Sequence, residues 1–348
     1  MQEKITVKTS KNNYDVVIGR DLNPGEWLLD IKRVCHVLIV SDDTVFFLYG
    51  KEITQSLTEA GYTVDCFVFE HGEKSKNIHT AEDILEYCAS KELTRADLLV
   101  ALGGGVVGDI TGFCASVYLR GIDFAQIPTT LLAAVDSSVG GKTAIDLKAG
   151  KNLAGAFYQP IGVLLDVNVF KTLPKEHFAE GMAEAVKYGM IKSRDLFEYF
   201  EGNEYDMVKI CCECVKIKAY VVGEDEFDTG LRQILNFGHT PAHAIEKLSG
   251  YEISHGYAVA IGMVMMTKIS EVLGKIPEGS TERLKAVLKK EGLPTECEYS
   301  AERLAANSVN DKKRKGNDIN LVLLSNIGDA CLEKVPVSEL EKYYLMGK

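Results

Sequence analysis

No run of apolar residues in this 348-residue chain is long enough to span a bilayer. The opening MQEKITVKTSKNN carries no apolar signal segment, which sets the expectation of a cytoplasmic protein. Positive charge is also short: 39 Lys and Arg stand against 50 Asp and Glu, a net charge of −11. Nucleic acid is therefore not expected as the main partner. The one basic run, Lys312-Lys313-Arg314-Lys315, is brief. A disulfide framework is missing as well. The nine cysteines are scattered, apart from Cys211-Cys212-Glu213-Cys214, and no second C-x-x-C completes a zinc knuckle. They are expected to be buried thiols. Internal repeats and low-complexity segments are absent.

What is there suits two domains. ITVKT (5–9) and YDVVIG (14–19) read as a hairpin with SKNN as its turn. VCHVLIVSD (34–42), YTVDCFVF (62–69), DLLVALGGG (97–105) and VLLDV (163–167) read as strands. Helical patterns lie between them at Thr44–Ala60, at Ile78–Ala89 and after Gly105. Strand and helix alternating at this rhythm imply a parallel sheet flanked by helices. Long helical patterns dominate from Lys175 onward. The expected fold is an α/β dinucleotide-binding domain with a parallel sheet over 1–174, then a mostly α-helical metal- and substrate-binding domain over 175–348. A cleft between two such domains is a usual place for a ligand.

The segment Gly103-Gly104-Gly105-Val106-Val107-Gly108-Asp109 follows a strand and opens a helix. Glycines there let the backbone approach a pyrophosphate, whose charge is favoured at a helix N-terminus. The spacing is not the Rossmann G-x-G-x-x-G. Asp42, at a strand end, is placed to accept from ribose hydroxyls. Glu73 and Lys76 follow another strand end. Downstream, Arg120, Thr129, Thr130, Asp136, Lys142, Lys151 and Asn152 lie among glycines and hydroxyls. Lys142 and Lys151, in what read as glycine-flanked turns, suit phosphate oxygens.

Three of the seven histidines fall between Leu231 and Met263. His239 and His243 are four apart and share a helix face, so spacing alone pairs them as imidazole ligands of a divalent metal. Pro241 places a helix start near His239. His255 opens a second apolar run. Glu184, with Lys187 one helical turn on, is the best remote carboxylate, and Glu180 is its competitor.

Together these motifs resemble the 3-dehydroquinate synthase family from about Asp42 to Gly328. The specific stretches are GGGVVGDITGF, RGIDFAQIPTTLLAAVDSSVGGKTAIDLKAGKNLAGAFYQP, GMAEAVKYG, LRQILNFGHTPAHAIE and SHGYAVAIGM. The resemblance implies a bound NAD that is regenerated in each turnover. It also implies a divalent metal, zinc by first choice and cobalt as the alternative, held by Glu184, His239 and His255. The implied substrate is 3-deoxy-D-arabino-heptulosonate 7-phosphate, and the implied product is 3-dehydroquinate, in the shikimate pathway. NAD contacts would come from Asp42, Glu73, Lys76, Gly105, Val106, Val107, Gly108, Asp109, Thr129, Thr130, Lys142, Lys151 and Thr172. Substrate contacts would come from Asp136, Lys142, Asn152, Lys187, Lys218, Arg232, Asn236 and His243. Arg120 would reach the phosphate of a neighbouring subunit's substrate in a homodimer, and Lys312 or Lys313 would close on the same phosphate. The sequence departs from the family pattern at Pro241 and Ala242 and at NSVN before Asp311. Competing readings are a related sugar phosphate cyclase such as 2-deoxy-scyllo-inosose synthase, a metal-dependent polyol dehydrogenase, and a non-catalytic metal- and nucleotide-binding protein.

Overall fold

The apolar strands of the first half assemble into one seven-stranded sheet. In chain order the strands of this half are β1 (Glu3–Val7), β2 (Tyr14–Gly19), β3 (His36–Asp42), β4 (Thr63–Phe69), β5 (Leu98–Gly103), β6 (Asp123–Pro128), β7 (Lys142–Leu147), β8 (Gly150–Phe157) and β9 (Gly162–Asp166), with β7 and β8 outside that sheet. The sheet order is β1-β2-β9-β6-β5-β3-β4. Only β1 and β2 pair antiparallel; the other pairs of this sheet are parallel. These observations come from a computed structural model that describes residues 2–308 and 317–348.

Burial on both faces explains why β3 and β5 read as continuous apolar runs rather than alternating ones. Leu38, Val40, Leu99 and Ala101 join one core with Ile84, Ile110 and Cys114 from the helices Ile78–Ser90 and Gly105–Val117. Val37, Ile39, Leu98, Val100 and Leu102 point the other way, into a core with Trp27, Leu28 and Leu57. Successive side chains thus serve opposite layers, as the two-residue period of a strand requires. The chain turns outward to β4 on one side of β3 and crosses to β5 on the other. The carboxyl ends of β3 and β5 therefore flank a topological switch point, the usual ligand position in such sheets.

Two sequence expectations are corrected in this half. The helix expected over Thr44–Ala60 contains a π-helical turn at Phe46–Gly50. A Cβ on Gly50 would meet the Phe46 ring at 2.5 Å, so glycine there leaves room for that ring to fold back. The glycine- and lysine-rich stretch around Lys142 and Lys151 is an antiparallel hairpin of β7 and β8, not a set of turns. Its strands carry little apolar alternation, so the strand signal was weak.

The chain divides into two units, Met1–Leu173 with Cys214–Phe227, and Pro174–Glu213 with Asp228–Lys348. The returning segment is the second half of the helix Met207–Glu224 and the residues after it. It joins the first unit through Lys218, whose ammonium meets the Asp136 carboxylate and carbonyl, and through Glu226, which accepts from Ser10 N and Gln159 Nε2. The described residues of the second unit are helical, with one hairpin among them, β10 (Asp318–Asn326) and β11 (Asp329–Pro336), that helical patterning did not announce. Its central helix, Lys175–Lys192, is buried without a break from Gly181 to Ile191. A helix buried on every side holds polar residues only where they are paired or functional, and this one holds Glu184 and Lys187. All nine cysteines are free; those at 211, 212 and 214 are buried.

Candidate active-site residues

Glu184, His239 and His255 come from three different helices of the second unit: Lys175–Lys192, His239–Leu248 and His255–Val272. Glycines allow the close approach. A Cβ on Gly256 would lie 2.4 Å from the Glu180 Cα, and one on Gly262 would lie 2.0 Å from the Gly238 carbonyl oxygen. Either methyl would force the helices apart. Gly238 has φ +79°, a left-handed conformation that favours glycine, and it separates the 3-10 turn Leu231–Asn236 from the helix that begins at His239. Arg232 and Asn236 therefore do not lie on the helix of His243.

The three residues offer donor atoms that all lie within 4.8 Å of one another. Glu184 Oε1 is 3.5 Å from His239 Nε2 and 3.4 Å from His255 Nε2. The other carboxylate oxygen of Glu184 meets the Lys187 ammonium. One carboxylate and two imidazoles converging in this way match the donor set of a catalytic zinc, so the residues present fit such a metal. His239 Nδ1 donates to the Phe237 carbonyl at 3.1 Å, which leaves Nε2 as its ligand atom. Desolvation opposes charge on His255, but the Glu184 and Glu246 carboxylates on its two nitrogens outweigh it. Its pKa is pushed up to about 10.

The competing ligands of the sequence reading stand elsewhere. Glu180 Oε2 is 2.9 Å from His177 Nδ1. Burial would raise the Glu180 carboxyl, but hydrogen bonds from His177 and Ser254 hold it below its ordinary value. His243 is exposed, with its ring centroid 5.8 Å from that of His239 and 6.4 Å from that of His255. It borders the cluster but is not one of its three donors among the described residues. Arg232 is 2% exposed, and Asn236 Nδ2 donates to the Gln233 carbonyl at 3.2 Å. The spacing-based pairing of His239 with His243 is thus replaced by His239 with His255.

In the first unit the residues expected to hold a dinucleotide gather at the carboxyl edge of the sheet. Gly103 ends β5 and pairs with Pro128 at the end of β6. The helix Gly105–Val117 starts at once and carries Val106, Val107, Gly108 and Asp109 in its first two turns. Side chains are excluded here: a Cβ on Gly104 would press Thr130 at 3.0 Å, and one on Gly108 would meet Gln126 Oε1 at 2.6 Å. Thr129 N donates to the Gly103 carbonyl at 3.0 Å. Asp42, at the end of β3, caps the next turn by accepting from Val45 N at 2.8 Å, and burial raises its carboxyl pKa.

Lys76 is buried and donates to Asp109 Oδ2 at 2.5 Å and to Asn152 Oδ1 at 2.6 Å. Burial works against its charge, and the Asp109, Glu73 and Asp146 carboxylates together more than offset this. Asn152 has φ +54° and its N donates to Asp146 Oδ1 at 2.8 Å. One cation thus joins the glycine turn to the β7–β8 hairpin. Lys151 Nζ is 3.7 Å from Glu73 Oε1, and Thr172 Oγ1 meets the Tyr49 hydroxyl. Lys142 and Arg120 are exposed, and Arg120 is held at φ +66°. Asp136 and Lys218, expected as separate substrate contacts, form an ion pair. Lys312 and Lys313 lie outside the described residues. The spacing argument missed Glu246, whose Oε1 faces His255 Nδ1 at 3.4 Å. Its sequence signal was its place seven residues after His239, on the same helical face.

Two family descriptions match the chain, 3-dehydroquinate synthase N-terminal over residues 66–180 and 3-dehydroquinate synthase C-terminal over 181–314. The chain is 44% identical over 350 residues to the 3-dehydroquinate synthase of Enterococcus faecalis, covering 98% of both. Among solved structures it superimposes with TM-score 0.88 and 26% identity on 2-epi-5-epi-valiolone synthase from Streptomyces hygroscopicus with NAD+ and Zn2+ bound, covering 98% of each chain. A second, 2-deoxy-scyllo-inosose synthase complexed with carbaglucose-6-phosphate, NAD+ and Co2+, gives TM-score 0.86 at 24% identity, with 98% and 99% covered, and shares the fold.

Proposed function

The chain belongs to the 3-dehydroquinate synthase family, and from that premise we propose that it converts 3-deoxy-D-arabino-heptulosonate 7-phosphate into 3-dehydroquinate and phosphate, a phosphate-eliminating lyase reaction of the shikimate pathway. NAD and a divalent metal, zinc or cobalt, are its cofactors. The observation that carries the reading is the Glu184, His239 and His255 cluster with Lys187 beside it, in a chain that aligns over nearly its whole length with these synthases.

Glu184, His239 and His255 hold the metal; Asp42, the glycine turn, Lys76, Thr129 and Thr130 hold the dinucleotide. When bound, the metal supplies Lewis acidity at the carbon 5 hydroxyl of the substrate, and NAD supplies a hydride acceptor that is regenerated, so there is no net redox. The protein's own groups supply orientation and charge. Arg232 can take the substrate carboxylate bidentately. Lys187 is a fixed cation for an oxyanion developing near the metal. His243, exposed beside the cluster, and Asn236 orient hydroxyls. Asp136, Lys142, Asn152 and Lys218 serve the remaining hydroxyl and phosphate contacts. The substrate's own phosphate can remove the proton next to the transient ketone, so no protein base is required for elimination. Aldol closure of the ring then needs only that the opened chain be held. The protein is cytoplasmic and acts as a homodimer, in which Arg120 reaches the neighbouring subunit's substrate phosphate.

A carboxylate-free sugar phosphate is the substrate of the nearest alternative reading. Arg232 favours the carboxylated one, because its planar fork matches a carboxylate bidentately, a contact that a carboxylate-free substrate does not use. The test is to incubate metal-loaded protein with the heptulosonate phosphate and NAD, then follow phosphate release and product identity. Phosphate and 3-dehydroquinate in equal amounts, without NADH accumulation, are expected. No phosphate release from folded, metal-loaded protein overturns the reading, and steady growth of NADH points to a dehydrogenase.

A further inference from the structure

Glu246 is 7% exposed on the helix His239–Leu248, two turns after the metal ligand His239 that opens it. Burial of a carboxylate costs several kcal/mol unless a cation or donor meets it. Its Oε1 stands 3.4 Å from Nδ1 of His255, while Nε2 of the same ring faces Glu184 Oε1 at 3.4 Å. The His255 ring is therefore bracketed by two carboxylates, one at the donor cluster and one behind it. His239 has a different backing, the neutral carbonyl of Phe237 at 3.1 Å. The two imidazole ligands are thus held by partners of different charge.

We propose that Glu246 is a positioning residue for the metal: it accepts the Nδ1 proton of His255, fixes that ring so that Nε2 is the ligand atom, and makes His255 the stronger donor of the two imidazoles. The inference rests on the metal-binding reading above. A carboxylate behind a ligating histidine fixes its tautomer and raises its basicity, and its loss typically costs about 10–100-fold in metal affinity. The carbonyl behind His239 fixes the tautomer without adding charge. Glu246 also closes a geometric loop. It rides on the helix that begins with His239 and touches the first residue of the helix His255–Val272, so one side chain ties together the helices that carry both imidazoles.

The test compares wild type, Glu246→Gln and Glu246→Ala, each stripped of metal and checked for folding by circular dichroism. Co2+ and Zn2+ affinities are measured by competition with a chromogenic chelator, and the d–d absorption of the Co2+ form is recorded. The expected result is a ~10–100-fold loss of affinity in Glu246→Ala. Glu246→Gln should show a smaller loss, because the amide oxygen still accepts from Nδ1 but carries no charge. A shifted Co2+ spectrum in both variants accompanies these losses. Affinity and spectrum unchanged in folded Glu246→Gln and Glu246→Ala overturn the proposal. If Glu246→Ala does not fold, Glu246→Gln alone decides on the same criteria. Wild-type protein that binds neither ion overturns the metal reading itself, an outcome distinct from binding that is indifferent to Glu246.

Discussion

Glu184 and Lys187, one turn apart on the helix Lys175–Lys192, form a buried ion pair with side chains 0% and 1% exposed, and the carboxylate oxygen not engaged by lysine faces the two imidazoles. Breaking a buried pair by removing one partner costs about 3–5 kcal/mol, because the other charge stays behind. A bound dication replaces the lost countercharge. Lys187→Met should therefore destabilise the metal-free protein by about 3–5 kcal/mol and the zinc-loaded protein by clearly less. It should keep metal and lower kcat by roughly 10²-fold as an oxyanion-stabilising group is lost. Urea unfolding with and without zinc, beside phosphate release, checks this. Equal destabilisation in both states contradicts it.

His243 and His255 both neighbour His239, and His255 is the one that joins Glu184 and His239 in the donor cluster of the described residues. His255→Ala should abolish metal retention through gel filtration. His243→Ala should retain one metal per chain and lose rate. Metal content by mass spectrometry separates the two, and equal loss in both variants rules out this division of roles.

Gly256 touches no metal, but an added methyl would lie 2.4 Å from the Glu180 backbone. The helix bearing His255 would have to shift away from the helix bearing Glu184. Gly256→Ala should leave helical content intact, cost about 1–3 kcal/mol as overpacking does, and weaken zinc binding. Unchanged zinc affinity would mean that helix spacing does not set the site.

Arg232 is almost fully buried, and its planar fork suits a carboxylate where an ammonium does not. Arg232→Lys keeps the charge and should still lower kcat/KM by about 10-fold or more, since a bidentate pair is worth roughly 1.5–3 kcal/mol. Steady-state kinetics on the heptulosonate phosphate read this directly. Full activity in the lysine variant would return the carboxylate-free substrates to contention.

Asp97 contributes to the pH dependence of folding in the first unit. It accepts from Thr94 N at 2.7 Å, Thr94 Oγ1 at 2.8 Å and His36 N at 2.9 Å, tying the start of β5 to that of β3. Burial would raise its pKa, but the Thr94 and His36 hydrogen bonds hold it below the ordinary carboxylate value. A lowered folded-state pKa adds stability above the unfolded value of about 3.9, and that stability is lost as pH falls through the folded value. Asp97→Asn should cost about 1–3 kcal/mol at pH 7, and its gap from wild type should narrow below about pH 4. Urea midpoints at the two pH values test it; a gap independent of pH would show that the carboxylate charge is immaterial.

The sequence by itself determined the element types wherever the apolar period was strong, because that period is a local property. It placed β3, β4, β5 and β9, the glycine turn of residues 103–109 and the helical patterns of the second half, but not β6 or the hairpins β7–β8 and β10–β11, and its motifs pointed to the family. Period tells which face of an element a residue occupies, not which other element faces it. His239 and His243 shared a face and suggested a ligand pair. The tertiary structure brought His255 to Glu184 instead, because Gly256 and Gly262 let their helices approach where any side chain would hold them apart. The same limit hid the Lys218–Asp136 pair, the Lys76 bridge from Asp109 to Asn152, and Glu246 behind His255. Each joins residues on different elements whose adjacency exists only after the backbone has folded.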